Sequence, residues 1–230
     1  MSVKAKRDNV ICSLGDAVVR ESDLHLLGGP YWLSDRIIGF YFEYLHKVIF
    51  EDSNRFCFIS PEVSQFLKLV SKEEMNCFVE PLQLKTKDVI LLAVNNAADP
   101  SKPGGSHWSL LVYTSQANHF YHFDSSSGMN EEDARILSKK ISQHLTNGQK
   151  GSEAIRFTEA PGIVQQSNGY DCGVHVLKNV EHCSRHLMLY GTPEGLPHLQ
   201  EKEIIEMRSI IRAHILKMSK QGVSDSQEPS

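Results

Sequence analysis

The chain has 230 residues, 40% of them hydrophobic, and a formal net charge of −4. That length suits one good core and falls short of two. The mild negative charge and the lack of a long Lys/Arg block argue against a nucleic-acid partner. No apolar stretch follows the charged start "MSVKAKRDNV", and the longest apolar run, "VILLAV" at 89–94, is far too short to span a bilayer, so neither a secretory signal nor a membrane anchor is expected.

The N-terminal part reads as helical. "SDRIIGFYFEYLHKVIF" opens on candidate caps Ser34 and Asp35 and repeats Ile37, Tyr41, Tyr44 and Val48 on one face. "SPEVSQFLKLV" has Ser60 as N-cap with Pro61 at the first helical position, and Ser71 with Glu74 forms a capping box for the next helix. The period then changes. "DVILLAVNN" suits a strand buried on both faces, and "HWSLLVYTS" and "HFYHFDS" suit a hairpin joined by "SQAN". "NEEDARILSKKISQHL" returns to helical spacing, and "AIRFTEA" is a further candidate strand. "DCGVHVLKNVEHCSRHLMLYG" predicts a long helix ending at Gly191, and "EKEIIEMRSIIRAHILKM" a last one. The fold class is α+β: a helical N-terminal part packed with a central mixed or antiparallel sheet. One domain is expected over 1–218, with a disordered polar tail over 219–230 and some fraying of the first residues.

The five cysteines are Cys12, Cys57, Cys77, Cys172 and Cys183. Their odd number and lack of CxxC spacing predict reduced thiols in an intracellular protein, cytoplasmic or nuclear. Four read as inert; Cys183 lies in line with Val176, Val180 and Leu187 on the core stripe of its helix. Cys172 differs. It follows the polar loop "QQSNGYD" and opens a long helix, where free N–H groups and the helix dipole favour a thiolate. Such a nucleophile needs an imidazole, and the imidazole needs an acceptor. If the two central strands pair through "SQAN", His107 at the start of the first meets Asp124 at the end of the second. His119 and His122 have no obvious acid across from them. Backbone N–H groups at the helix start, with Gln165 or Gln166, are candidate oxyanion donors. His175, His182 and His186 share one stripe of the same helix; the stripe is expected to be solvated, and no metal or other cofactor is expected.

The order His107, Asp124, Gln166, Cys172, set in "HWSLLVY", "FDS" and "QQSNGYDCG", resembles the ubiquitin-like-protein-specific cysteine proteases, the sentrin-specific and adenoviral-protease-like clan. "PYWLSDRIIGFYFEYL" and "FISPEVSQFLK" extend the likeness over residues 14–215, and the short chain looks most like the deneddylase branch. The resemblance implies Cys172 as nucleophile, His107 as general base, Asp124 as orienting acid and Gln166 as oxyanion donor. It implies Trp108 as the cover of a diglycine tail, and Trp32 and Asp35 as channel and modifier contacts. It departs at Ser34, where the family often has Asn. The implied function is cleavage after the C-terminal Gly-Gly of a ubiquitin-like modifier by a monomer. The neddylation modifier comes first; a SUMO-type protease or a non-catalytic modifier-binding module is the alternative. The polar loop 95–106 is a candidate cover for substrate.

Overall fold

The computed structural model describes residues 7–99, 104–146 and 154–224. Five strands form one sheet in the order β3-β4-β5-β6-β7: Phe56–Ile59, Val89–Asn95, Trp108–Thr114, His119–Phe123 and Arg156–Glu159. The outer pairs, β3–β4 and β6–β7, are parallel, and the two inner pairs are antiparallel, so the sheet is mixed. Every residue of β4 is buried, as its unbroken apolar run requires of a strand covered on both faces. Alternation sorts the side chains. Leu110, Val112 and Phe123 face a core shared with helices α2 (Asp35–Tyr44) and α6 (Cys172–Tyr190). Leu111, Tyr113 and Phe120 face a second core, shared with α3 (Pro61–Leu69) and α5 (Glu131–Leu145).

The predicted caps form. Ser34 Oγ accepts from Ile37 N, Ser60 Oγ from Val63 N, and Ser71 and Glu74 bond reciprocally. The β5–β6 hairpin pairs Thr114 with His119 and Leu110 with Phe123, and Asn118 takes the left-handed conformation (φ 48°) that the turn needs. Helix α6 ends at Gly191, φ 72°.

The N-terminal region is not wholly helical. Val10–Leu14 and Ala17–Arg20 form a separate hairpin, β1–β2, closed at Gly15 (φ 56°), and Glu21–Leu26 forms the short helix α1. The long helix expected from Ser34 is α-helical only to Tyr44 and widens to a π-turn over Leu45–Ile49. Helix α4 spans Lys72–Val79. The last expected helix is two, α7 (Glu201–Ile205) and α8 (Met207–Ser224), divided at Glu206. Helix α8 runs through Ser224 into the tail expected to be disordered from Ser219: Ser219, Lys220 and Gln221 are ordinary helix residues, and the helix tolerates Gly222 at a cost of about 1 kcal/mol. The fraying expected at 1–6, the tail beyond Ser224 and the centre of the cover loop at 100–103 lie outside the described residues.

Candidate active site

Cys172 is the first residue of α6 and is 2% exposed. The first helical bond runs from His175 N to Asp171 O, so the N–H groups of the preceding turn have no acceptor within the helix. The approach loop is tied down. Asn168 Oδ1 accepts from the N–H groups of Tyr170 and Asp171, both at 3.0 Å, and its Nδ2 donates to Asp171 Oδ2 at 2.8 Å. Arg208 of α8 donates to Asp171 Oδ1 at 2.7 Å and to the carbonyls of Leu26 and Tyr31. Gly173 brings α6 against the segment before α2: a Cβ there would lie 3.0 Å from Leu33 Cβ.

His107 immediately precedes β5 and Asp124 immediately follows β6, so the hairpin register sets them side by side. His107 Nε2 lies 2.6 Å from Asp124 Oδ1, and both residues are buried. The ring shares its cleft with Cys172. Burial works against a charged His107, but the bond to Asp124 and the interaction with Cys172 outweigh it and raise its pKa to about 9. Burial likewise disfavours the Asp124 carboxylate. Donation from His107 and from the N–H groups of Ser126 and Asn130 outweighs it and holds the carboxyl below its ordinary range. Burial pushes the thiols of Cys12 and Cys57 up to about 11, outweighing the opposing charge of Lys87 at Cys57, and that of Cys183 higher still. Burial thus leaves all three thiols unactivated.

The two candidate glutamines differ in what their amides can still offer. Gln165 Nε2 donates to the carbonyls of Asp124 and Ile163, which uses both hydrogens. Gln166 Nε2 donates once, to Asn168 O at 2.6 Å, while its Oε1 accepts from Ser125 Oγ at 2.7 Å. Gln166 is therefore held in place with one N–H to spare.

Trp32, Asp35, Trp108, His107 and Cys172 line one cleft, which also takes in Asn95 and Gly105. Trp32 is half exposed, and its Nε1 donates to Gly169 O at 2.6 Å, pinning the indole beside the loop that presents Cys172. Asp35 opens α2 on the rim. Its Oδ1 accepts from Arg36 N at 2.8 Å. The cleft's other wall begins where β4 ends. There the buried Lys68 donates to the carbonyls of Asn95 and Ala97 and pairs with Asp133. A Cβ at Gly105 (φ 86°) would collide with Asn95.

Two expectations about histidines are corrected. His122 does face an acid: Glu159 on β7, which pairs alongside β6, lies 2.8 Å from its Nδ1. The His175, His182, His186 stripe is not solvated. The 193–199 segment folds over it, His182 and His186 bond the carbonyls of Pro197 and Glu194, and His175 and His186 are buried. Burial lowers the His175 pKa to about 4. Among the described residues no group of three or more His, Cys, Asp or Glu is placed to hold a metal ion. Two residues of the site carry no sequence signal of their own, Arg208 and Asn130. Asn130 stands at the N-cap of α5 but sends its side chain to Val94 O, His107 O and Ser109 Oγ instead of capping.

A buried imidazole bonded to a carboxylate, sharing a cleft with a thiol at a helix start, is the arrangement that a cysteine nucleophile requires. Residues 31–223 match the Ulp1 protease family, C-terminal catalytic domain. The chain belongs to that family of cysteine peptidases. It is 40% identical to sentrin-specific protease 8 of Rattus norvegicus, over 94% of this chain and 99% of that one. It is 34% identical to NEDD8-specific protease 1 of Arabidopsis thaliana, over 95% and 96%. Its fold is similar to that of the C-terminal Ulp1 protease domain solved in complex with Smt3, the yeast orthologue of SUMO. That similarity has a TM-score of 0.73 at 19% identity and covers 94% of this chain and 90% of that one.

Proposed function

We propose that the chain cleaves after the C-terminal Gly-Gly of NEDD8, in precursor processing and deconjugation. In this reading Cys172 attacks the glycine carbonyl, His107 receives and returns the proton, Asp124 orients the ring, and Gln166 with the first N–H groups of α6 holds the oxyanion. One observation carries it: the buried His107 ring, 2.6 Å from Asp124 Oδ1, shares a cleft with Cys172 at the start of α6. The choice of modifier is supported by the near full-length likeness to a protein named for NEDD8. The odd cysteine count without CxxC spacing supports a reducing, intracellular setting. Among the described residues no helix is long and apolar enough to cross a membrane. A single catalytic domain through α8 is part of the same proposal, as is action as a monomer. The test is a set of ubiquitin-like modifiers with one C-terminal electrophile at equal concentration. NEDD8 is expected to label Cys172 first, and faster labelling by a SUMO would overturn the preference. Ser34→Asn is the companion variant, since Ser34 both caps α2 and donates to Asp23 Oδ1 at 3.0 Å.

Gln166→Ala is expected to lower kcat by about 10² to 10³, the usual loss for one oxyanion donor. Steady-state kinetics on a modifier with a fluorogenic C-terminal amide reads it, and a change confined to KM would remove Gln166 from the oxyanion site.

Trp32 and Trp108 line the cleft that also holds the 2% exposed Cys172, and in this reading the two indoles clamp the tail. A tail must enter extended, and only residues without Cβ pass between flat rings. Replacing the penultimate glycine of the modifier by alanine is therefore expected to cut kcat/KM strongly, and Trp108→Ala to blunt that discrimination while slowing both substrates. An equal loss in the two enzymes would return Trp108 to a packing role.

A further inference from the structure

On the sheet face turned away from α6, three polar side chains are buried among apolar ones. Ser109 is 1% exposed, and His122 and Asn130 are 0% exposed. Such burial is costly unless partners are found. These residues form a chain. Glu159 lies 2.8 Å from His122 Nδ1, His122 Nε2 lies 2.8 Å from Ser109 Oγ, and Asn130 Nδ2 donates to Ser109 Oγ at 3.0 Å. Asn130 then reaches the reacting pair twice. Its Nδ2 shares two hydrogens among Ser109 Oγ, Val94 O at 3.1 Å and the His107 carbonyl at 3.3 Å, the longest of the three, and its backbone N–H donates to Asp124 Oδ2 at 3.1 Å.

The ends of the chain fix its direction. An ionised Glu159 only accepts, so His122 Nδ1 carries the hydrogen. In a ring that carries this one hydrogen Nε2 is bare and accepts from the Ser109 hydroxyl. Ser109 Oγ is left to accept from Asn130. The Asn130 Oδ1 has no partner. Turning the amide over would set that oxygen against the carbonyls of Val94 and His107, so the orphan is the consequence of aiming the N–H groups at them. A residue needed only to start α5 would cap it with its side chain, and Asn130 does not.

We propose that Asn130 is a positioning residue for the His107–Asp124 pair, with its amide set by Ser109, His122 and Glu159. The proposal rests on the roles given above to His107 and Asp124. Its test measures kcat and KM on a modifier with a fluorogenic C-terminal amide, together with Tm. Glu159 is 40% exposed on an edge strand, so its variants fold even where core ones do not. Glu159→Ala is expected to lower kcat about three- to tenfold, and Ser109→Ala about tenfold, each with KM within about twofold. Glu159→Gln still offers an acceptor to Nδ1–H and is expected to restore kcat to within about twofold of wild type. The double variant Ser109→Ala/Glu159→Ala is expected to be no slower than Ser109→Ala, because the chain is already cut. A lowered Tm with unchanged kcat, rate losses that multiply in the double variant, or no rescue by Glu159→Gln would each overturn the proposal. If Ser109→Ala does not fold, the two Glu159 variants decide. Cys172→Ala is run beside them: turnover there would overturn the nucleophile assignment, a failure distinct from that of the chain.

Discussion

Cys172→Ala is expected to abolish turnover while modifier binding persists, and Cys183→Ala to leave the rate nearly unchanged. Loss of a nucleophile that acts as a unit with its base costs on the order of 10⁶ in kcat. The two cysteines occupy the same helix, which makes the contrast sharp. Cys172 opens α6 beside the buried imidazole, in a cleft that a slender tail can enter. Cys183 lies three turns on, among the apolar core residues Val180 and Leu187, where burial pushes its thiol up and nothing offsets it. Its replacement removes one core sulfur and costs stability of about 1 kcal/mol. Turnover of a fluorogenic modifier and the mass of the adduct with an electrophilic one decide between them. A dead Cys183→Ala, or an adduct on Cys172→Ala, would overturn the assignment.

The meeting of His107 with Asp124 was legible because a hairpin is a local object. Its short turn fixes the register, and the register fixes which strand ends share an edge. Cys172 was legible for a similar reason, since a glycine-bearing loop before a long apolar period marks a helix start. The supporting residues were not. Arg208 reaches Asp171 and the carbonyl of Tyr31 from a helix remote in sequence, and nothing near Arg208 announces that contact. Nothing around Asn130 sets it apart in the sequence, and only the fold shows its side chain turned inward. His122 seemed to lack an acid because β7 is a short, largely exposed edge strand whose pairing with β6 is parallel and non-local. The histidine stripe on α6 was misjudged because periodicity reports which faces are apolar, not which polar faces a loop covers. The first hairpin and β3 escaped because strands this short carry too few alternations to stand out.

His107→Ala is expected to cost nearly as much rate as losing the cysteine, and Asp124→Asn less, since in the proposed mechanism the carboxylate acts only through the ring. The same variant has a second signature, in stability against pH. Removing the ring leaves Asp124, 3% exposed, with the N–H groups of Ser126 and Asn130 but no cation, and a buried charge that loses its partner is destabilising. The sign follows from the two shifts. The pKa of His107 is raised from 6.5 to about 9, so its contribution is complete below about pH 6.5 and is lost as the pH rises through 9. Asp124 is lowered from 3.8, so its contribution is present above that value and is lost as the pH falls through the folded one. The gap in Tm between wild type and His107→Ala should thus be widest between about pH 4 and 6.5 and close towards and beyond pH 9. Thermal melts of both proteins at pH 5, 7 and 9.5 read it directly. A gap that stays constant across that range would mean that His107 is held by packing alone, and that its bond to Asp124 carries no charge.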